Sequence, residues 1–284
     1  MRPATATIGH RRLIPRMPQL GVYAALVAAG FRRYTTYRQA TFAAAFTNST
    51  FGFLRCFVLL AAVYATGHPL AGYDAQRLAT FVWIGQGLIG TVQLWGPAEY
   101  AERIRSGDVV ADLLRPVDVV WQQLATDLGR AGVAVLTRFG IPLAVGAVFF
   151  DLYAPHRFAT YPLFALSVLL ATVVSFGCRF LVNAAAYWLL DARGPQMAWL
   201  VVTTALCGLT FPLRFLPTAV VAGLFVATPF PSLMQIPLDV VTERAGTAET
   251  FGLLGIQAGW MVLVLGLCRL VQRRGERRLV VQGG

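Results

Sequence analysis

The chain has 284 residues, of which 57% are hydrophobic and 13% charged, against about 25% charged in an ordinary soluble domain. Its net charge is +11, and all 24 basic residues are arginine. The arginines gather at the ends of apolar runs, which is the pattern of membrane topology and not the basic groove with stacking aromatics that binds nucleic acid.

Residues 1–17 carry Arg2, Arg11, Arg12 and Arg16 among prolines, with no sustained apolar core. They read as a cytoplasmic tail rather than a signal peptide. In 18–41, Leu20, Tyr23, Val27, Phe31 and Tyr34 recur at helical spacing while Arg32 and Arg33 lie off that stripe. The pattern suits an amphipathic helix lying in the membrane interface. A merely basic linker is the other reading.

A bilayer core takes about 20 mostly apolar residues per helix. Six stretches qualify: 43–65, 77–96, 131–152, 159–180, 196–214 and 251–271. The expected fold is therefore all-α, a membrane domain over 18–271 followed by a tail over 272–284. With both termini inside, alternation leaves sixteen arginines in inside segments and four outside, at Arg77, Arg157, Arg214 and Arg244. That asymmetry supports cytoplasmic termini and an even number of spans. Segment 212–247 breaks the pattern: five prolines surround the apolar run 218–226, about half a span long. It reads as a re-entrant hairpin between spans five and six, covered by protein at membrane depth.

Chemistry is sparse. There is no GxxxxGK[ST] loop, HExxH or GxSxG, so the chain offers no case for ATP hydrolysis or other catalysis of its own. The isolated histidines and the four scattered cysteines form no metal-ligand pattern; the cysteines read as buried apolar residues. No acidic residue is read inside the inner parts of the spans, which disfavours an ion-gradient-driven transporter or channel. Arg55 and Arg138 do fall within spans. Each is either a polar contact on a substrate path or a snorkelling or paired structural charge. Asp127 and Arg130, three apart, can pair on one helix face, and Arg179 reads as snorkelling inward.

The most polar stretch is 97–118, with Glu99, Glu102, Arg103, Arg105, Asp108, Asp112, Arg115 and Asp118. Gly107 can end one helix and Pro116 can start another, giving two short helices across a turn. The residues fit either a docking surface for a charged partner or an ordinary solvated loop.

Several stretches together carry a resemblance: GYDAQRLATFVWIGQ at 72–86, RIRSGDVVADLLRPVD at 103–118, DLGRA at 127–131, AYWLLDARG at 186–194, FPLRFLP at 211–217 and RRLVVQGG at 277–284. They resemble the permease subunits of type-2 ABC transporters, the class with the G-type exporter fold, and in particular a bacterial subfamily of uncharacterised ABC permeases. The resemblance runs from about residue 20 to the end. It implies an exporter subunit of the bacterial inner membrane, working with a second permease, related but distinct or identical, and with two copies of a cytoplasmic ATPase that binds the ATP and Mg. The 98–116 loop would be the coupling helix, with Glu102, Arg103, Arg105, Asp108 and Arg115 at or near the ATPase. Spans two and five would line the path, offering Trp83, Gln86 and Gln93 on one and Thr203, Thr204 and Phe211 on the other. Such residues suit an amphipathic cargo and suit dry helix packing equally well.

Overall fold

The structure, a computed structural model, describes residues 19–35, 38–189 and 191–278; the tail expected over 1–17 and the end of the chain beyond 278 lie outside the described residues. The regular structure of the described residues is all helical, with a single isolated bridge between Leu70 and Tyr73 in place of any strand. In order the helices are α1 (Gln19–Thr35), α2 (Arg38–Thr66), α3 (Ala75–Leu88), α4 (Glu99–Ser106), α5 (Val109–Leu113), α6 (Val119–Ala134), α7 (Gly140–Phe149), α8 (Thr160–Ala184), α9 (Arg193–Leu206), α10 (Thr218–Ala227), α11 (Gln235–Val241) and α12 (Thr247–Glu276).

Four helical stretches are long and apolar enough to cross a membrane: Ala43–Thr66, Val119–Phe149, Thr160–Tyr187 and Thr247–Glu276. The second joins α6 to α7 through a π-helical turn, Val135–Phe139. The amphipathic lead-in before residue 131 is thus part of the same helix. The stretches expected as spans two and five are shorter. α3 has 14 residues, extended by a π-helical turn over Ile89–Gln93. Every residue from Leu78 to Leu88 is buried, so α3 is the helix that others surround, and Thr80 and Gln86 are tolerated there because each is bonded. The Thr80 hydroxyl accepts from the Tyr153 amide at 2.7 Å. Rotated to suit its neighbours, the Gln86 amide accepts from Arg55 at 2.9 Å and donates to the Asn48 carbonyl at 3.1 Å.

α9 also has 14 residues and ends at Leu206 rather than near 214. There Gln235 of α11 takes over the chain: its amide donates to the Cys207 carbonyl at 2.9 Å, and its side-chain oxygen accepts from the Leu213 amide at 2.7 Å. These bonds satisfy backbone groups that a longer helix would have satisfied itself. The proline-rich segment forms α10 and α11 on either side of a 3₁₀ turn, Phe230–Ser232. α11 is buried along its whole length and packs on α8.

α1 is a helix rather than a linker. Tyr23, Val27, Phe31 and Tyr34 are half-buried, whereas Arg32 and Arg33 are exposed. It packs lengthwise on α6 because Gly30 and Gly129 let the backbones meet: a Cβ on Gly30 would strike the Thr126 carbonyl, and one on Gly129 the Val27 carbonyl.

The connections gather at two ends of the bundle. At one, Arg77 reaches the Thr242 carbonyl (3.0 Å), Arg157 pairs with Glu243 (3.3 Å), and Arg214 and Arg244 both meet Glu249 (3.5 and 3.3 Å). At the other, Arg33 pairs with Glu99 (3.0 Å), Arg269 with Asp118 (3.5 Å), and the Tyr100 hydroxyl donates to Gln272 (2.6 Å). α12 runs from the first set to the second; at 1.5 Å per residue its 30 residues cover about 45 Å. All four cysteines are free and buried.

Candidate functional site

The polar stretch folds as two short helices across a tight turn. α4 carries Glu99 and Glu102 in its first turn and Arg103 and Arg105 in its last, which complements the helix dipole at both ends. Gly107 ends it in the left-handed region (φ 84°), its N–H donating to the Ile104 carbonyl at 3.3 Å; that conformation suits glycine over any residue with a Cβ. α5 follows at once. Asp118 then starts α6 by accepting from the Val120 and Trp121 amides at 3.0 and 3.4 Å, an N-cap in the usual sense.

One face of this loop is tied to the bundle. Tyr100, Ala101 and Ile104 are buried. The Tyr100 hydroxyl bonds Gln272 of α12 and lies 3.0 Å from the Tyr187 hydroxyl, and the Ala101 amide donates to Asn183 of α8 at 3.2 Å. Glu99 holds Arg33 of α1. Inside the loop, Asp112 is almost fully buried (side chain 4% exposed) and binds Arg103 at 2.7 Å and Arg115 at 3.7 Å. Arg103 therefore mostly serves the loop itself. Glu102 and Arg105 are exposed and paired at 2.5 Å; the hydrogen bond from Arg105 holds the Glu102 carboxyl below its ordinary value. Asp108 is exposed and accepts from the Ser106 hydroxyl at 2.8 Å. Between Asp112 and Arg115 stands Leu114, 82% exposed. Sequence reasoning passes over Leu114 and names Asp112 only as one charge among eight, because spacing alone does not say which residues of a short helix face outward.

The structure places the six residues expected on a path as follows. Trp83 is fully buried, its ring edge-on to Phe53 at 5.1 Å between centroids. Gln86 is held by α2, and Thr203 is buried on α9. Thr204 and Phe211 are half-buried. Gln93 lines two adjoining cavities that include none of the other five.

Two acids outside the inner parts of the expected spans are buried. Asp239 in α11 is fully buried, and Asp127 in α6 has a side chain only 10% exposed. Both are saturated. Asp239 takes Arg214 at 2.9 Å, Gln235 at 2.7 Å and the Tyr73 hydroxyl. Asp127 takes Arg130 at 2.7 Å and Arg179 at 2.8 Å. Arg179 thus reaches across from α8 to a buried carboxylate instead of snorkelling, since a charge removed from water needs a partner. Arg130 also donates to the carbonyls of Gly90 (2.6 Å) and Thr91 (3.1 Å) and so caps the end of the α3 helix.

Among the described residues no group of histidine, cysteine or acidic side chains could hold a metal ion. A family model described as an ABC-2 family transporter protein matches residues 53–283. No curated protein matches the chain.

Proposed function

The chain belongs to the ABC-2 family of transporter proteins and is a membrane permease subunit of an ABC transporter; we propose that it is driven through the α4–Gly107–α5 loop by a cytoplasmic ATPase. Members of this family are membrane components that work with a separate ATPase, and the ATP and Mg belong to that partner. Two ATPase copies and a second permease, related but distinct, complete the pump. Its direction is export, and both termini lie on the cytoplasmic side of a bacterial inner membrane.

The observation that carries this reading is the two-sided build of the loop. Its inner face is bonded to α1, α8 and α12, while Arg105, Asp108, Leu114 and Arg115 stand exposed at its tip. An exposed leucine among charges is the composition of a docking knob with a polar rim. Closure of an ATPase dimer pushes the tip, and the bonds at Glu99, Ala101 and Tyr100 carry the displacement into three helices at once. The permease then rocks between inward- and outward-facing states.

The reading includes six crossings: α2, α3 with its π turn, α6–α7, α8, α9 and α12. The meeting of alternate connections at two ends supports it. α3 and α9 are short, but α3 is shielded by protein along its length and the chain after α9 is held by α11, so neither needs the apolar length of a lipid-facing span. The broken α10–α11 segment dips in from the outer end.

The test is copurification in mild detergent. Arg105→Glu and Leu114→Asp each lower the ATPase recovered with the permease by about tenfold, while the variants elute as wild type does in size exclusion. Unchanged recovery and unchanged ATP turnover in both variants would sink the assignment.

A further inference from the structure

We propose that the groove between the two π-helical turns binds the phosphate headgroup of an anionic membrane lipid, with Arg138 as its principal contact. The placement of the groove in the cytoplasmic leaflet rests on the orientation proposed above; the binding chemistry does not.

The two π turns, Ile89–Gln93 and Val135–Phe139, lie against each other. Each π turn widens its helix, and such turns collect at functional sites. Between them and the end of α1 lies a half-open cavity of about 150 Å³, walled by Tyr34, Gly90, Gln93, Trp95, Arg130 and Arg138. Gly90 makes the room: a Cβ there would stand 3.0 Å from Cδ of Arg138.

The charges in and around this cavity do not balance. Arg130 is satisfied by Asp127 and two carbonyls. Asp127 also serves Arg179, and Glu99 in the adjoining cavity is paired with Arg33. Arg138 has no hydrogen bond or ion pair with any described residue, although it lies within a stretch apolar enough to cross the membrane. Two further polar atoms of the wall are buried without partners, the indole N–H of Trp95 and the side-chain oxygen of Gln93; rotation of the amide would present the N–H₂ of Gln93 instead. Arg138, Trp95 and Gln93 all line this cavity, and a guanidinium, an indole N–H and an amide brought to one place ask for an acceptor-only anion; the phosphate oxygens of a lipid suit all three. The lipid source follows from the setting. Helical side chains lean toward the N-terminus of their own helix, which carries the Arg138 head from mid-span toward the interface where headgroups lie, and Tyr34 of the amphipathic α1 forms part of the rim.

The experiment is native mass spectrometry of the full-length permease in mild detergent. The probes are phosphatidylglycerol, phosphatidylethanolamine and inorganic phosphate. Wild type retains phosphatidylglycerol in preference to phosphatidylethanolamine. Arg138→Gln lowers its affinity by about tenfold, the loss of one charge-assisted bond. Arg138→Lys recovers part of it. Trp95→Phe, which keeps the ring and removes only the N–H, weakens it by a smaller factor and serves as the second variant if Arg138→Gln does not fold. Equal phosphatidylglycerol retention by wild type and by the folded variants overturns the proposal. Displacement of the lipid by millimolar inorganic phosphate overturns the lipid assignment in favour of a soluble anion. Detergent has no leaflets, so this result stands or falls independently of the orientation.

Discussion

Glu243 is the residue on which the connections at one end of the bundle converge. Its side chain is 5% exposed, and it accepts from the Tyr153 hydroxyl (2.7 Å), the Thr160 hydroxyl (2.5 Å) and the amides of His156 (3.2 Å) and Arg157 (2.9 Å). It takes a left-handed backbone (φ 48°) to do so, which a glutamate adopts only when its surroundings insist. Burial alone would raise its carboxyl, but the bonds from Thr160, Tyr153 and the two amides outweigh that and hold it at about 2. A carboxyl depressed on folding adds stability above its unfolded value, near 4.5, and loses it as the pH falls toward 2. Glu243→Gln therefore lowers the apparent Tm at pH 7 by about 5 °C, taking about 2 kcal/mol for the lost charge-assisted bonds. The gap between variant and wild type stays constant from pH 7 to 5 and narrows below 4.5. Thermal scans in detergent across that range check it; a gap that narrows already between pH 7 and 5 would mean that a group other than the Glu243 carboxyl sets the difference. Nothing in the sequence marks Glu243, because its partners lie 83 to 90 residues away. The pair Asp127–Arg130 is legible because it is local; Arg179, its third member, reads as snorkelling because its partner is 52 residues distant.

Periodicity serves well where helices are long and one face meets lipid. α2, α8 and α12 fall within a few residues of the stretches read from apolar runs. It serves less well where protein replaces lipid. α9 stops short because Gln235 receives its last groups, and the lead-in to span three is continuous with α7 because a π turn, not a break, separates them. The end of α4 is legible from Gly107 and the charge pattern, but the second short helix, read as starting at Pro116, runs instead over Val109–Leu113, and which residues of the loop point inward is not legible. The stripe of α1 is legible, whereas its docking partner is not, since a glycine in an apolar run reads the same whether it meets lipid or another backbone. Gly30 and Gly129 meet backbone. Gly129→Val leaves no route for relief, because the clash is with a carbonyl rather than a movable side chain. Overpacking of this kind costs about 1–3 kcal/mol, and here it acts on one contact, α1 against α6. The expected outcome is a permease whose core remains folded by circular dichroism but whose α1 is cut faster by limited proteolysis, with a Tm lower by several degrees. An α1 as protected as in wild type would mean that the Gly30–Gly129 crossing does not hold it.

At the scale of the whole molecule, the two ends differ in kind. The end proposed as outer is closed on itself: Arg77, Arg157, Arg214 and Arg244 are all bonded to acids or carbonyls of neighbouring segments. The other end, proposed as cytoplasmic, keeps charges and a leucine exposed, as the proposed docking surface requires. This contrast also explains how the four arginines expected outside are compatible with a topology rule that places arginine inside, since each is neutralised in place. The orientation is testable with the native cysteines left alone, because all four are buried and contribute little background to labelling. Phe158 in the outer connection is 88% exposed and Leu114 at the inner tip 82%. In intact cells, Phe158→Cys reacts with a membrane-impermeant maleimide, and Leu114→Cys reacts only after the membrane is opened. Coexpression of the cognate ATPase then slows Leu114→Cys alone, because docking covers the tip and leaves the outer end untouched. Labelling in the opposite order would invert the whole arrangement. Equal labelling of both positions from one side would break the alternation on which the proposed six crossings depend.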